Sequence, residues 1–270
     1  MADAGPTGVY VRRLIVVGYL FFLVAWPVAL VAKHAFADGT GDIRAVLADP
    51  DTRHAILLTV RIALISVVIN TVFGVAMGVL IVRYRFPGRR LLNAMLDIPL
   101  SVSPIVVGLA LLLVYSGRRG WFGPWLEDHG VRVIFSTPGM VLATVFVSLP
   151  LVIREVVPML TEIGIEQEQA AHSLGASGWQ TFWRVTLPGM RWAVVYGVVL
   201  TLARSLGEFG AVKVVSGNVL GRTRTATLSV EEKYLNFDQA GAYAIAFLLA
   251  LVSVACIVVV GIIRPRHRDE

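Results

Sequence analysis

Apolar runs alternate with short polar stretches along the chain, and six of these runs are candidates for membrane-spanning helices. They cover residues 14–32, 56–82, 98–115, 133–153, 192–203 and 240–263. A helix needs about 20 mostly apolar residues to cross the hydrocarbon core of a bilayer, and all but the fifth run reach or approach that length. The pattern therefore predicts an all-α, polytopic membrane protein with about six transmembrane helices.

The fifth run is short, and two charged residues, Arg204 and Glu208, follow it closely. Gly207 and Gly210 lie beside them and loosen the backbone. Short hydrophobic segments interrupted by glycine are typical of the substrate path in transporters.

The first run raises a different question, because Ala35-Phe36-Ala37 resembles a signal-peptide cleavage site. A signal peptide has an apolar region of only about 7–15 residues, so we expect a retained anchor.

The composition supports insertion into a membrane. Hydrophobic residues make up 56% of the 270 positions and charged residues 16%, and the mean hydropathy is +0.74. Soluble domains carry about a quarter charged residues. We expect one transmembrane domain over residues 14–263, with short tails at residues 1–13 and 264–270.

The net charge of +6 comes largely from arginines close to the ends of the apolar runs. These are Arg12, Arg13, Arg83, Arg85, Arg89, Arg90, Arg264, Arg266 and Arg268. Because positive residues beside a span stay in the cytoplasm, this pattern places both termini and residues 83–97 on the cytoplasmic side. Lysine and arginine also occur at residues 33–55, 117–136 and 211–239, so charge alone leaves the orientation open. A basic stripe with interleaved aromatic residues would indicate nucleic-acid binding, and the sequence has none.

A long polar stretch, about residues 161–190, separates the fourth and fifth runs. It predicts two short helices, at residues 162–174 and 178–186, which form a helix-turn-helix on the cytoplasmic side. Gly175 is placed to end the first helix, and Ser177 is placed to cap the second. Pro188 then forbids continuation of the second helix and marks the start of the fifth span.

This stretch also contains a spaced motif. Its residues are Gln169, Ala170, Ala171, Gly175, Val185, Leu187 and Pro188. The spacing resembles the cytoplasmic "EAA" loop of ABC-importer permeases, on which an ATPase subunit docks. The family pattern has glutamate where this chain has Gln169. The adjacent Glu168 cannot occupy the same helical face, so the ion pair attributed to that glutamate is in question and a hydrogen bond from Gln169 could substitute.

Further phrases narrow the resemblance. They lie at residues 97–104, 175–188 and 207–218, the last of which begins Gly207-Glu208-Phe209-Gly210. Over roughly residues 55–263 the chain looks like the permease subunits of sulfate/thiosulfate ABC importers, and residues 215–231 look most like the W-type subunit. Molybdate permeases share the phrase at residues 207–210. Molybdate or tungstate therefore remains the alternative cargo.

The resemblance implies the type I ABC importer permease fold in the bacterial cytoplasmic (inner) membrane. It also implies a heterodimer with a homologous T-type permease, two ATPase subunits that use ATP and Mg²⁺, and a periplasmic or lipid-anchored binding protein that delivers the anion. The chain has no GxxxxGK[ST] phosphate loop. We expect no cofactor in this chain and no enzymatic activity of its own.

Candidate residues for the anion path are Asn70, Ser101, Ser103, Arg204 and Glu208. Weak neutral donors suit a site that must release its cargo. The serines could equally satisfy backbone groups near Pro99 or Pro104, and Asn70 could form a hydrogen bond between helices. Because a carboxylate repels a dianion, a structural pair with Arg204 at i,i+4 is favoured for Glu208.

Two other functional classes compete with this interpretation. An intramembrane enzyme would need a nucleophile with a base, or metal ligands, and the sequence has no HExxH, no GxSxG and no pair of membrane aspartates. Cys256, the single cysteine, has no CxxC or histidine partner, so no metal site is expected.

A channel or secondary transporter would work without ATP. Such proteins often show an internal hydropathy repeat or a proton-relay chain, and the sequence shows neither clearly.

Overall fold

The computed structural model describes residues 6–37 and 39–263, which form helices and the turns that join them. The helices are α1 (Pro6–Leu20), α2 (Trp26–Ala35), α3 (Gly41–Ala48), α4 (Pro50–Arg83), α5 (Arg89–Ser101), α6 (Pro104–Tyr115), α7 (Gly123–Asp128), α8 (Thr137–Ile163), α9 (Glu166–Ser173), α10 (Gly178–Thr181), α11 (Leu187–Gly189), α12 (Arg191–Leu206), α13 (Gly210–Ser216), α14 (Ala226–Leu235) and α15 (Gln239–Ile263). Two π-helical turns, Phe21–Ala25 and Phe182–Thr186, join α1 to α2 and α10 to α11. The described residues contain no strand, so the all-α prediction is confirmed. Residues 1–5 of the predicted N-terminal tail and the whole tail 264–270, with Arg264, Arg266 and Arg268, lie outside the described residues.

Four helical stretches are long and apolar enough to cross a membrane singly. They are Arg12–Ala35, Pro50–Arg83, Thr137–Ile163 and Gln239–Cys256. Two bent pairs pass the same test together, Arg89–Ser101 with Pro104–Tyr115 and Gly178–Gly189 with Arg191–Leu206. With each bent pair taken as one span, the described residues have the six spans that the hydropathy predicts.

The third apolar run differs from the continuous helix that its hydropathy predicts. α5 and α6 meet at an angle of 111°, and Val102 and Ser103 between them have ψ angles of 135°. Pro104 causes this break, because the residue before a proline is driven out of the helical conformation. Hydropathy does not detect the break, since the side chains on both sides of it are apolar.

The second span, α4, begins at a local cap. The side chain of Asp49 accepts hydrogen bonds from the backbone nitrogens of Asp51 and Thr52, at 3.3 and 3.2 Å, and from the Thr52 hydroxyl. The bond from the Thr52 hydroxyl is the largest cause that lowers the pKa of Asp49 below its ordinary value. Pro50 occupies the first helical position, where its missing N–H costs nothing.

α4, α8 and α12 pack closely because glycines leave room for their neighbours. A Cβ atom added to Gly74 would lie 2.7 Å from Val152 Cβ, and one added to Gly78 would lie 2.6 Å from Val156 Cγ1. A Cβ atom on Gly197 of α12 would lie 3.0 Å from Val152 Cα. Small residues allow membrane helices to approach in this way. Gly74 and Gly78, four residues apart on α4, therefore let α8 approach closely.

Short helices that hydropathy does not indicate fill the connections at the start of α4. α13 packs on α6 and α8, while α14 packs on α15 and α4. The backbone nitrogen of Ala226 in α14 donates to the hydroxyl of Thr59 in α4 at 2.8 Å, and Leu58 and Leu228 lie in one buried cluster. The first part of α4 therefore contacts α14 through Thr59, and its last residue, Arg83, contacts α9.

The first span lies against α15 and is otherwise exposed within this chain. None of the residues in its most hydrophobic stretch is buried, and large apolar side chains such as Leu14 and Phe22 are 77% and 70% exposed. Phe36 packs edge-on against Phe247 of α15, with ring centroids 5.2 Å apart. The apolar surface of this span is available to lipid.

Candidate functional site

The polar stretch between the fourth and fifth spans forms a helical hairpin, here called the coupling hairpin (residues 164–190). α9 ends at a Schellman turn, in which Gly175 has φ +85°. The backbone nitrogen of Gly175 donates to His172 O at 2.9 Å, and that of Ala176 donates to Ala171 O at 3.0 Å. Gly175 therefore ends the helix as predicted, because the turn needs a left-handed residue.

The first hairpin helix starts later than the sequence predicts. α8 continues to Ile163, where Gly164 (φ +71°) ends it, and α9 begins at Glu166 instead of residue 162. Thr161 and Glu162 favour neither helix over the other, so the polar character of this stretch does not mark the boundary.

The second half of the hairpin begins at the predicted cap and continues past the predicted stop. The Ser177 hydroxyl accepts from the Gln180 backbone nitrogen at 3.3 Å, and the Gln180 side chain accepts from the Ser177 nitrogen at 3.0 Å. The prediction that Pro188 ends this helix is wrong, because helical structure extends to Gly189. The π turn Phe182–Thr186 widens the backbone before the proline, and the chain bends by 69° only after Gly189.

Arg83, at the end of α4, ties the hairpin to the spans. Its Nη1 donates to Leu160 O at 3.0 Å and its Nη2 donates to Gly164 O at 2.7 Å. Its Nε lies 2.9 Å from Glu168 Oε2, and the hydroxyl of Thr186 donates to Glu168 Oε1 at 2.8 Å. These two side chains therefore link α4, the end of α8 and both halves of the hairpin.

The contact between Arg83 and Glu168 was not predicted from the sequence. Arg83 was interpreted there as one of the basic residues that orient the chain, and Glu168 only as a neighbour of Gln169. Gln169 itself is exposed on α9. A signal was present, since an arginine at a span end and a glutamate on the following hairpin are complementary, but no sequence spacing indicates that they meet.

The outer surface of the hairpin carries large apolar side chains. Leu174 is 89% exposed, Trp179 72% and Trp183 50%. Trp179 and Trp183 pack edge to face, with ring centroids 5.5 Å apart. The remaining motif residues are distributed between this surface and the interior: Ala170 and Pro188 are exposed, whereas Ala171, Val185 and Leu187 are half-buried. Apolar side chains exposed on a polar loop mark a protein contact surface.

Arg204 and Glu208 form the ion pair that the sequence predicts, with 2.7 Å between Arg204 Nη1 and Glu208 Oε2. The Glu208 side chain is 2% exposed, and its other oxygen accepts from the Ala211 backbone nitrogen at 3.0 Å. The Thr227 hydroxyl donates to the Glu208 carbonyl at 2.9 Å. Glu208 thus holds the turn between α12 and α13 together, while Arg204 stays 38% exposed.

The other candidate path residues lie in two different environments. Asn70 is fully buried, and its Nδ2 donates to Ser148 Oγ at 2.8 Å and to Val145 O at 3.2 Å, so it joins α4 to α8. Ser101 and Ser103 are exposed at the break between α5 and α6. Within the described residues, no group of three or more histidine, cysteine, aspartate or glutamate side chains is placed to hold a metal ion.

A second ion pair, which joins α5 to α8, was not anticipated. Arg154 of α8 donates to Asp97 Oδ1 from Nη2 at 2.9 Å and from Nε at 3.3 Å. The two side chains are 57% and 55% exposed. They are distant in sequence, so the pair could not be found from spacing.

Comparison with known proteins identifies the family. The family described as "Binding-protein-dependent transport system inner membrane component" matches residues 70–269. The chain belongs to this family. The matched region begins within α4 and includes the coupling hairpin, both ion pairs described above and the last two spans.

Individual relatives cover nearly the whole chain. It is 48% identical to the sulfate transport system permease protein CysW of Synechococcus elongatus, over 92% of this chain and 86% of that protein. It is 47% identical to the protein of the same name in Escherichia coli, over 99% of this chain and 92% of that protein. It is 38% identical to a probable sulfate transport system permease protein cysT of Chlorokybus atmophyticus, over 87% of this chain and 82% of that protein.

Solved structures agree on the fold. A crystal structure of a bacterial ABC transporter involved in import of the polysaccharide alginate matches with a TM-score of 0.78 and 15% identity, over 97% of this chain and 96% of that chain. The MetNI methionine ABC transporter in an inward-facing conformation matches with a TM-score of 0.56 and 19% identity, over 78% of this chain and 95% of that chain. The predicted type I ABC importer permease fold is confirmed.

Proposed function

We propose that this chain is the permease subunit of an ATP-driven ABC importer that carries sulfate or thiosulfate across the bacterial cytoplasmic membrane. The observation that carries the proposal is an identity of 47–48% with proteins named as sulfate permeases. The match to the Escherichia coli protein covers 99% of this chain. The hairpin and all the spans therefore lie inside it.

The coupling hairpin is the surface on which an ATPase subunit docks. Leu174, Trp179 and Trp183 supply an exposed apolar patch, and Gln169 and Ala170 lie on the exposed side of the adjoining helix. Closure of the ATPase pair pushes this patch, and the contact between Arg83 and Glu168 carries the displacement to α4 and α8. ATP and Mg²⁺ are used by the two ATPase subunits.

A homologous T-type permease completes the passage as a heterodimer. The 38% identity to a protein named as a probable cysT sulfate permease supports this, because it makes that type of chain homologous to this one. Homologous chains pair readily around a pseudo-twofold axis. A periplasmic or lipid-anchored binding protein delivers the anion at the opposite end from the hairpin.

The hairpin end of the bundle faces the cytoplasm, and both termini lie on that side. Arg83, Arg85, Arg89 and Arg90 lie at or near this end of α4, and the positive-inside rule favours the cytoplasmic side for such residues. This orientation lets the hairpin meet an ATPase that draws on cytoplasmic ATP.

Uptake of labelled sulfate by cells that lack this chain tests the proposal. We expect deletion to abolish high-affinity uptake, and restoration of the chain to recover it. Unlabelled thiosulfate should compete more strongly than molybdate, and a variant of the partner ATPase that cannot hydrolyse ATP should stop uptake.

Two results would point elsewhere. If deletion reduced molybdate uptake and left sulfate uptake intact, the cargo would be the molybdate or tungstate alternative. If sulfate uptake persisted with an inactive ATPase, the chain would work as a channel or secondary transporter.

A further inference from the structure

One side of α5 carries a polar residue at every turn. Asn93, Asp97 and Ser101, here called the polar row, are four residues apart and all exposed, so they lie on the same side of the helix. Arg90 extends the row towards the start of α5. Elsewhere on the helix, Leu96 is buried in a cluster with residues of α4 and α8. α5 therefore buries Leu96 and Pro99 against protein, whereas Leu91 and Met95 are exposed on a side away from the polar row.

Arg154 of α8 reaches this row and binds Asp97. It follows directly after Ile153, which lies in the same buried cluster as Leu96. The contact between α5 and α8 therefore fixes the position of the guanidinium beside the polar row, while both charged side chains remain more than half exposed.

The ion pair joins two helices that belong to candidate spans. Arg154 is nine residues before the end of α8 at Ile163, and Asp97 is eight residues after the start of α5 at Arg89. With a rise of 1.5 Å per residue, these positions are about 14 and about 12 Å along their helices. α8 has 27 residues and is about 40 Å long, about 10 Å longer than the hydrocarbon core of about 30 Å. If α8 crosses the whole core, Arg154 therefore lies in the half of the core nearer the hairpin.

A charged pair at this depth does not face lipid. Charged side chains in hydrocarbon are costly, and intramembrane ones face a bundle interior or a water-filled cavity. The polar row runs from the cytoplasmic end of α5 to its break at Ser101, which is the course expected of one wall of an aqueous passage.

We infer that Arg154 and the polar row of α5 form an oxyanion site in the cytoplasmic half of the passage, in which Asp97 competes with the anion for the guanidinium. The inference rests on the proposed function. The site takes small tetrahedral dianions of the sulfate class, and the seryl hydroxyl of Ser101 donates to a second anion oxygen.

Competition by Asp97 gives the site a weak affinity, which transport requires. A guanidinium presents parallel N–H groups that fit a carboxylate and an oxyanion equally well. An arriving anion replaces Asp97 as the partner of Arg154. When the anion leaves, Asp97 returns to the guanidinium, so no unpaired charge stays in the membrane.

Cysteine accessibility in the assembled transporter tests the site. The complete complex is placed in inside-out vesicles with Cys256→Ser in this chain, and single cysteines are introduced as Asn93→Cys, Ser101→Cys and, as a control, Leu113→Cys. Leu113 is 70% exposed on α6 but lies among apolar neighbours. A charged methanethiosulfonate reagent should label the two polar-row cysteines at least about tenfold faster than the control.

Sulfate should slow the labelling of Ser101→Cys when it is compared with chloride at equal ionic strength. Adding Arg154→Gln should remove this protection, and Arg154→Lys should retain part of it. Adding Asp97→Asn should shift protection to sulfate concentrations about tenfold lower, because loss of one charge-assisted competitor changes affinity by about that factor.

The inference is overturned if Ser101→Cys labels no faster than Leu113→Cys, or if protection by sulfate is the same with Arg154→Gln. Sulfate uptake by the same complex, measured with only Cys256→Ser, separates the two hypotheses. Absence of uptake there contradicts the proposed function. Uptake with unreactive polar-row cysteines contradicts this site alone, because uptake shows that the complex is folded and assembled.

Discussion

Glu168 and Gln169 are neighbours in sequence, yet they have opposite surroundings. Successive residues of an α-helix point about 100° apart, so α9 directs one side chain inward and the other outward. Glu168 meets Arg83 and Thr186, while Gln169 is exposed. The motif spacing predicted that the two could not share a face, but only the packed structure identified Arg83 as the partner of Glu168.

Replacing Glu168 with glutamine tests whether this contact transmits force. The substitution leaves Arg83 bound to two carbonyls without its counter-charge, which costs about 2 kcal/mol of the energy holding α9 in place. We expect sulfate transport by the reconstituted complex to fall about tenfold while ATP hydrolysis persists. Uptake and phosphate release are measured on the same vesicles.

Glu166→Gln is the matched control, because Glu166 lies on the same helix and is exposed. It should leave the ratio of sulfate transported to ATP hydrolysed unchanged. Equal effects of the two substitutions on that ratio would contradict a transmitting role for Glu168.

Among the elements, those fixed by local signals were predicted well. Gly175 and Ser177 define the hairpin turn through backbone and side-chain bonds to residues within a few positions. The break before Pro104 was missed although proline was visible, because an apolar run with prolines is compatible with either a kinked or a broken helix. At Pro188 the error was the reverse. The proline predicted the end of a helix, but helical structure continues through it after a π turn.

Two glycines, one between α4 and α8 and one exposed on α1, predict opposite effects of an added methyl group on stability. Gly74→Ala places a methyl group 2.7 Å from Val152 Cβ, and we expect a loss of about 1–3 kcal/mol in the free energy of unfolding through overpacking. Gly18→Ala has no atom within 4 Å of its new Cβ. There, alanine should stabilise the helix by up to about 1 kcal/mol.

Thermal unfolding of the two variants in detergent, followed by tryptophan fluorescence, measures the difference. Gly74→Ala should lower the Tm and Gly18→Ala should not. A Tm for Gly74→Ala at or above that of the unsubstituted chain would show that α4 and α8 separate enough to accept the methyl group.

At the scale of the whole molecule, the hairpin and the loop between α14 and α15 lie at opposite ends of the bundle. The hairpin contacts the last residues of α4 through Arg83, and α14 contacts the first part of α4 through Thr59. Because α4 is a span, the two ends belong to opposite sides of the membrane.

Single cysteines on a Cys256→Ser background test the orientation. Leu174→Cys replaces a residue that is 89% exposed on the hairpin, and Leu235→Cys one that is 66% exposed at the other end. A membrane-impermeant maleimide should label Leu174→Cys only in inside-out vesicles and Leu235→Cys only in right-side-out vesicles. The reverse pattern would place the hairpin outside the cytoplasm and contradict ATPase docking.

The sequence by itself determined the protein's class, its six apolar runs and the position of the hairpin turn. Hydropathy and helix caps depend on residues close together in the chain, so they can be read without a fold. Only the tertiary structure decided that Arg83 binds Glu168 and that Arg154 binds Asp97. These pairs join residues from different helices, and their distances depend on how closely small residues such as Gly74 let the helices approach.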